Sequence, residues 1–499
     1  MNDLNRAIIS NGSSGPRETR AAWLVFFGAL VIGSAAAAYY ASRGLTLSHY
    51  DARAHLVVAR RIVDSLTPGW RQVGAVWLPL PHLLNLLPVE IDWNYRTGYL
   101  STAISVASLA VGLAALARYV MRQTASFEAS IAGPALVLLN PNVLYLQSTP
   151  MTEALLFGLT LLALERVDAW VGDSSPANRY AAGISISALF LTRYEGWFVG
   201  TALIGLGVFL CWRRGRPFMA SLALLPFAGI AVAGFLLLSY GSTGRWFVSS
   251  GFFTPDPRSQ HQLGVVLTDI GYSTLALGGW VLVSVAAIGI VMTVRHAARR
   301  PRSLLVLALF AAVTLPGLAF YQGHPLRIRY MVTLIVAFGS AGAFAIAWLP
   351  KNIRLAGAVA IVALSAFVRH PLDAKAPMVT EAQWETPFRL ERRTVTQYLQ
   401  RAYDQSPILA SMGSLGHYMQ ETAPSGFRLR NFIHEGNGDL WTQAVAAPRR
   451  HVRWILVEER AEGGDYLAGR ATADPAFLDG FRRASEGGGL VLYERMTPN

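Results

Sequence analysis

Long apolar runs dominate this chain. Charge-free apolar stretches that can cross roughly 30 Å of hydrocarbon occupy 21–41, 97–117, 217–239, 270–294, 303–323 and 330–350. Runs at 129–147 and 196–212 are slightly shorter, and those at 154–164, 180–192 and 355–368 need flanking polar residues to complete a crossing. Between the first two spans, 42–96 carries two helical patterns. The first, 52–66, places Leu56, Val57, Ile62, Val63 and Leu66 broadly on one side; the second, 79–87, lies in the proline-bracketed WLPLPHLLNLLP. Both suit helices lying at a bilayer interface. From about 371 the pattern becomes that of a soluble domain. Helical ERRTVTQYLQRAY, LGHYMQET, DLWTQAVA and PAFLDGFRRA alternate with strand-like PILAS, VRWILVEER and GLVLYER, predicting a partly parallel α/β sheet. The expected fold class is therefore an α-helical polytopic membrane protein of about 11 transmembrane helices, with interfacial helices in its first external loop and a C-terminal soluble α/β domain. Its expected segments are a tail (1–20), a membrane domain (21–369) and an extracytoplasmic domain (370–499).

Composition agrees, since 53% of residues are hydrophobic and 15% charged, far from a soluble globular chain. The net charge of +13 changes meaning once it is divided. Up to Arg369 there are 28 Lys and Arg against 14 Asp and Glu, and beyond it 15 against 16. The excess basicity belongs to the membrane part and concentrates in alternate short loops, 211–217, 295–302 and 350–354. Such loops remain cytoplasmic, which predicts a multi-pass cell-membrane protein with a cytoplasmic N-terminus and an extracytoplasmic C-terminal domain, and excludes nucleic acid as a partner. The single cysteine, Cys211, leaves the soluble domain to be held by its core, and His417, His434 and His451 are spaced too irregularly to predict a zinc site. No internal repeat and no pair of Gly/Pro-broken spans in matching halves is evident, which disfavours an inverted-repeat transporter.

Three acids fall at predicted span mouths on one face: Asp51 in SHYD, Glu153 in STPMTEALLF and Glu195 in LTRYEGWF. Each has a structural reading, as a helix cap, a first-turn residue and a partner of Arg193 respectively. Three ionisable groups at one membrane face also make a functional site, because desolvating them is costly. Arg193 and QGHPLRIRYMV, with Arg327, Arg329 and Tyr330, supply guanidinium groups suited to a lipid phosphate or to interfacial anchoring.

A first span followed by a long external loop that opens with an acid, two interfacial helices around WLPLPHLL, an acid at the start of the fourth span and a late Arg-Tyr element together resemble the GT-C polytopic glycosyltransferases. The resemblance is to members related to protein O-mannosyltransferases (glycosyltransferase family 39-like) and to aminoarabinose transferase. It covers about 23–369 and implies a GT-C-like membrane domain that transfers a sugar from a polyprenyl-phosphate donor to a lipid, glycan or protein acceptor outside the cytoplasm, usually with inversion. It further implies Asp51 as general base, Glu153 as a second catalytic acid, and Arg193, Arg327, Arg329 and Tyr330 as the donor-phosphate clamp. His55, Glu195 and His82 become acceptor-side or supporting groups, and the C-terminal domain shapes the acceptor entrance. Asp51 is followed by Ala52 rather than a second acid, so a divalent cation (Mg or Mn) stays an open alternative and no other cofactor is expected. A transporter or flippase for a lipid-linked or anionic substrate, and a non-catalytic receptor, are the competing readings.

Overall fold

The structure, a computed structural model, describes residues 15–248, 255–461 and 463–496. Most of the expected tail, 1–14, lies outside the described residues, and the first helix, Pro16–Ser42, starts ahead of the predicted span. Among the described residues eight helices are long and apolar enough to cross a membrane, and the bent pair Phe127–Leu138 and Pro141–Gln147 gives a ninth. All eleven expected segments are helical, and nine of them pass by length and apolarity. The other two are Glu153–Gly172 and Pro176–Phe190, of which the first carries Glu165, Arg166 and Asp168 and the second has only 15 residues. Glu153–Gly172 is enclosed by its neighbours over most of its length, so it needs no uniformly apolar surface.

Two features hold that enclosed helix. Near its C-terminal end Glu165 accepts from Arg122 at 2.6 Å, while Asp168 faces Arg122 at 3.1 Å and Arg302 at 3.4 Å and accepts from Gln123 at 2.7 Å. Buried charges persist where they are paired in this way. At mid-height it crosses Tyr99–Thr124 through Gly112 and Gly158, where backbones approach so closely that a Cβ on Gly158 would sit 2.1 Å from the Ser108 carbonyl oxygen.

Two spans are interrupted, which the apolar pattern did not reveal. The Phe127–Leu138 and Pro141–Gln147 pair bends by 72° where Asn140 precedes Pro141. Leu263–Ala297 breaks at Gly279, whose φ of 71° favours glycine. Side chains at the first interruption, with Arg369, satisfy carbonyls freed at the second. Asn140 Nδ2 donates to the freed Leu277 carbonyl at 2.9 Å, Asn142 Nδ2 donates to it at 3.3 Å, and Arg369 donates to that of Leu275 at 3.2 Å.

The first loop forms helices Tyr50–Arg60, Leu80–Glu90 and Asp92–Thr97 with a 3₁₀ turn at Trp70–Val73. Tyr50–Arg60 is a correction: it does not lie on a bilayer surface. Its Leu56, Val57 and Ala59 share one apolar core with Leu415, Tyr418, Trp454 and Leu492 of the C-terminal domain. Leu80–Glu90 keeps Leu83, Leu84 and Leu87 exposed, as an interfacial helix would.

The C-terminal domain is a five-stranded mixed sheet ordered β2-β1-β3-β5-β4, with β1 Ile408–Ala410, β2 Phe432–Ile433, β3 Trp454–Glu458, β4 Phe481–Gly487 and β5 Leu490–Arg495. β1 runs parallel to β2 and β3; β5 is antiparallel to β3 and β4. The helix expected over 475–484 is instead a 3₁₀ turn, Pro475–Leu478, followed by strand β4. Gly480 at φ 81° stops the helix, and pairing with β5 converts FRRASEG to a strand. Strand β2 and helix Tyr466–Ala473 had no counterpart in the apolar pattern.

Gly158→Ala is expected to lower the thermal midpoint in detergent, in line with an overpacking cost of roughly 1–3 kcal/mol. Gly205→Ala, whose Cβ would meet nothing within 4 Å, leaves the midpoint unchanged or slightly raised. Equal midpoints for wild type and Gly158→Ala would contradict the close crossing.

Candidate functional site

The acids singled out in the sequence occupy equivalent local positions. Asp51 lies in the first turn of Tyr50–Arg60, and Glu153 and Glu195 are the first residues of their helices. Each carboxylate therefore sits where free backbone amides and the helix dipole favour negative charge. His49 caps the first of these helices, its Nδ1 accepting from Asp51 N at 3.0 Å.

Arg329 joins the segments. It stands in a short 3₁₀ turn, Ile328–Met331, immediately before the helix Thr333–Ala347. Its Nη2 donates to Asp51 Oδ2 at 2.5 Å, and its Nε lies 3.8 Å from Glu153 and 3.6 Å from Glu381. Arg193 forms the second cationic centre, donating to Glu153 at 3.0 Å, to Thr152 Oγ1 at 2.9 Å and to Glu195 at 2.8 Å. The side chains of Glu153, Glu381, Glu195 and Arg329 are all less than a tenth exposed. Four carboxylates thus face two guanidinium groups in one buried node.

Glu381 and His49 were not legible as site residues. Glu381 ends the short helix Pro377–Glu381, after the last span, in a stretch of soluble composition. Two bonds carry it into the node: Met378 N donates to Asn142 Oδ1 at 3.1 Å, and Ser48 Oγ donates to the Ala382 carbonyl at 2.8 Å. His49 Nε2 then lies 3.4 Å from Glu381. His49 stands beside Asp51 in SHYD, but nothing in the local sequence marks Glu381.

Other expected members surround these groups. Arg327 packs over the Trp384 ring at 5.5 Å and acts on Glu381 through its charge, and Tyr330, whose Oη contacts His324 Nε2 at 3.4 Å, lies in the field of Arg329 and Asp51. His55 and His82 contact each other at 3.1 Å, one helical turn along from Asp51.

Electrostatics follow from this packing. Burial by itself would raise the Asp51 pKa, but the charge and hydrogen bond of Arg329 reverse the effect and hold the carboxyl well below the usual range. Glu381 is likewise lowered, its burial outweighed by His49 and Arg329. Glu153 Oε2, Glu381 Oε2 and Arg329 Nε are buried without hydrogen-bond partners among the described residues, leaving bonding capacity for a ligand. Among those residues no group of three or more His, Cys, Asp or Glu is placed to hold a metal ion.

No family model matches the chain, and no curated protein matches it. Several solved structures match its fold. Two of them are ArnT from Cupriavidus metallidurans bound to undecaprenyl phosphate, with TM-score 0.58 and 14% identity, and the apo form, with TM-score 0.59 and 12% identity. Each match covers 95% of this chain and 99% of that one. The chain shares the overall fold of these two structures.

Because the folded-state pKa of Asp51 is depressed, its ion pair stabilises fully above the ordinary Asp value of about 3.9 and is lost as pH falls through the folded value. The difference in thermal midpoint between wild type and Asp51→Asn should be constant from about pH 8 to pH 5 and shrink below about pH 4. A difference that vanishes at neutral pH would contradict the pairing.

Proposed function

We propose that this protein is a membrane glycosyltransferase that moves a sugar from a polyprenyl-phosphate-linked donor to a hydroxyl or amine of a lipid, glycan or protein acceptor. The reaction takes place on the extracytoplasmic face, with a cytoplasmic N-terminus set by the arginine-rich loops. The carrying observation is the buried node in which Arg329 is shared by Asp51, Glu153 and Glu381 while Arg193 stands beside it on Glu153. The ArnT fold, which in one structure holds undecaprenyl phosphate, supports a lipid phosphate as the anion these groups receive.

A donor phosphate entering the node competes with the carboxylates for Arg193 and Arg329, both suited to bidentate phosphate contacts. As Arg329 turns to the phosphate, Asp51 loses the partner that depresses its pKa and becomes a stronger base. The acceptor oxygen or nitrogen then bonds to the anomeric carbon from the side opposite the phosphate, and its proton passes to Asp51. The bond between that carbon and the phosphate oxygen breaks with its electron pair leaving on the phosphate, and the two guanidinium groups stabilise the added charge. Attack from the opposite side inverts the anomeric centre. Glu153 orients Arg193 and Arg329, and the C-terminal domain, which supplies Glu381, borders the acceptor side.

The transporter reading needs charge at mid-membrane depth. In Glu153–Gly172 the node at one end and the Glu165 and Asp168 cluster near the other are separated by the uncharged stretch 154–164, which favours the enzyme.

Mass spectrometry of envelope glycans and lipids from cells with and without the gene is expected to reveal a glycoconjugate that depends on it. Asp51→Asn should lower that product by about 10²-fold or more while the protein remains expressed. An unchanged glycoconjugate profile, or full activity in Asp51→Asn, would refute the reading.

A further inference from the structure

His55 and His82 take no part in the transfer step above, yet both are buried in the wall next to it. His55 Nδ1 lies 3.1 Å from His82 Nε2. The Trp77 ring packs on the pair, with centroids 4.1 Å from His55 and 5.9 Å from His82, and fixes both ring orientations. Burial pushes His55 down to about 3 and His82 well below its usual value. Both imidazoles are therefore neutral near pH 7, each with one N–H and one lone pair.

The far side of His82 decides which ring donates. Its buried Nδ1 faces the Leu78 carbonyl, four residues back, in a loose contact short of full hydrogen-bond geometry. A carbonyl can only accept, which favours the His82 proton on Nδ1 and a lone pair on its Nε2. His55 must then donate from Nδ1, which leaves the lone pair of His55 on Nε2.

That nitrogen has no hydrogen-bond partner among the described residues. His55 lines a narrow cleft with Asn85, Ser101, Ser105 and Thr152 on its polar side and Leu84 and Ile104 on its apolar side. Thr152 also accepts from Arg193, so the cleft adjoins the cationic centre. The charged and titratable groups that face His55 are Asp51, Arg193, Arg329 and His49, and Arg61 faces His82.

We infer that His82 is a positioning residue that fixes the tautomer of His55, so that His55 Nε2 accepts a hydrogen bond from the O–H or N–H of the acceptor substrate and aligns it beside Asp51. The arrangement applies to a second imidazole the logic by which a neighbour orients a catalytic histidine, and it rests on the transferase reading.

The test uses full-length protein labelled with ¹⁵N-histidine in lipid, with the His55 signals assigned through their loss in His55→Gln. Magnetic resonance should find His55 protonated on Nδ1. His82→Gln, whose Oε1 can accept in place of the imidazole Nε2, should preserve that form, whereas His82→Leu should shift His55 toward protonation on Nε2. In cells, the gene-dependent glycoconjugate should fall roughly tenfold or more in His82→Leu and be largely restored in His82→Gln. Finding His55 protonated on Nε2 in the wild type, or no tautomer change in His82→Leu, overturns the proposal. So does a changed tautomer with undiminished glycoconjugate. If deleting the gene alters no glycoconjugate, the transferase reading and the acceptor role fail together, while the tautomer is still read independently.

Discussion

The architecture around the site depends on burying four carboxylates with two guanidinium groups where segments distant in sequence converge. Arg329 cannot be removed from water unless Asp51, Glu153 and Glu381 reach it together, and none of these acids is comfortable there without a cation. The first loop, the start of one span, the approach to another and the segment after the last span must therefore assemble as one unit. The broken helix contributes to this, because Asn142 both donates to the carbonyl freed in the neighbouring interrupted span and accepts from Met378 N beside Glu381.

The same node explains how binding and chemistry are coupled under the proposed function. A carboxylate held far below its usual range is a weak base, so Asp51 is restrained as long as Arg329 is its partner. An anion that draws Arg329 away increases the basicity of Asp51 as it binds. The C-terminal domain is part of this device, since Leu56, Val57 and Ala59 of the helix bearing Asp51 pack into its core and Glu421 pairs with Arg53 on that helix. Such contacts fix the direction in which Asp51 points.

Much of this was legible in the sequence because membranes impose strong local signals. Apolar run length located the helices, and charge beside span mouths picked out Asp51, Glu153, Glu195, Arg193 and Arg329, which the fold brings together. What local patterns lacked was long-range. Glu381 sits in ordinary soluble sequence and becomes a node residue only through Asn142 and Ser48. The helix Tyr50–Arg60 has the amphipathic look of an interfacial element, but the C-terminal domain covers its apolar side. Glu153–Gly172 failed a strict apolar count because neighbouring helices, rather than lipid, surround it, and β4 resembled a helix until pairing with β5 claimed it.

The most direct test is the binding of undecaprenyl phosphate and of undecaprenol to the purified full-length protein, followed by native mass spectrometry, in wild type and in Arg193→Gln/Arg329→Gln. Saturable binding of the phosphate by the wild type, little binding of the alcohol, and loss of the phosphate preference in the double variant are the predicted results. Equal retention of both lipids by the wild type, or an undiminished phosphate preference without the two arginines, would contradict the account.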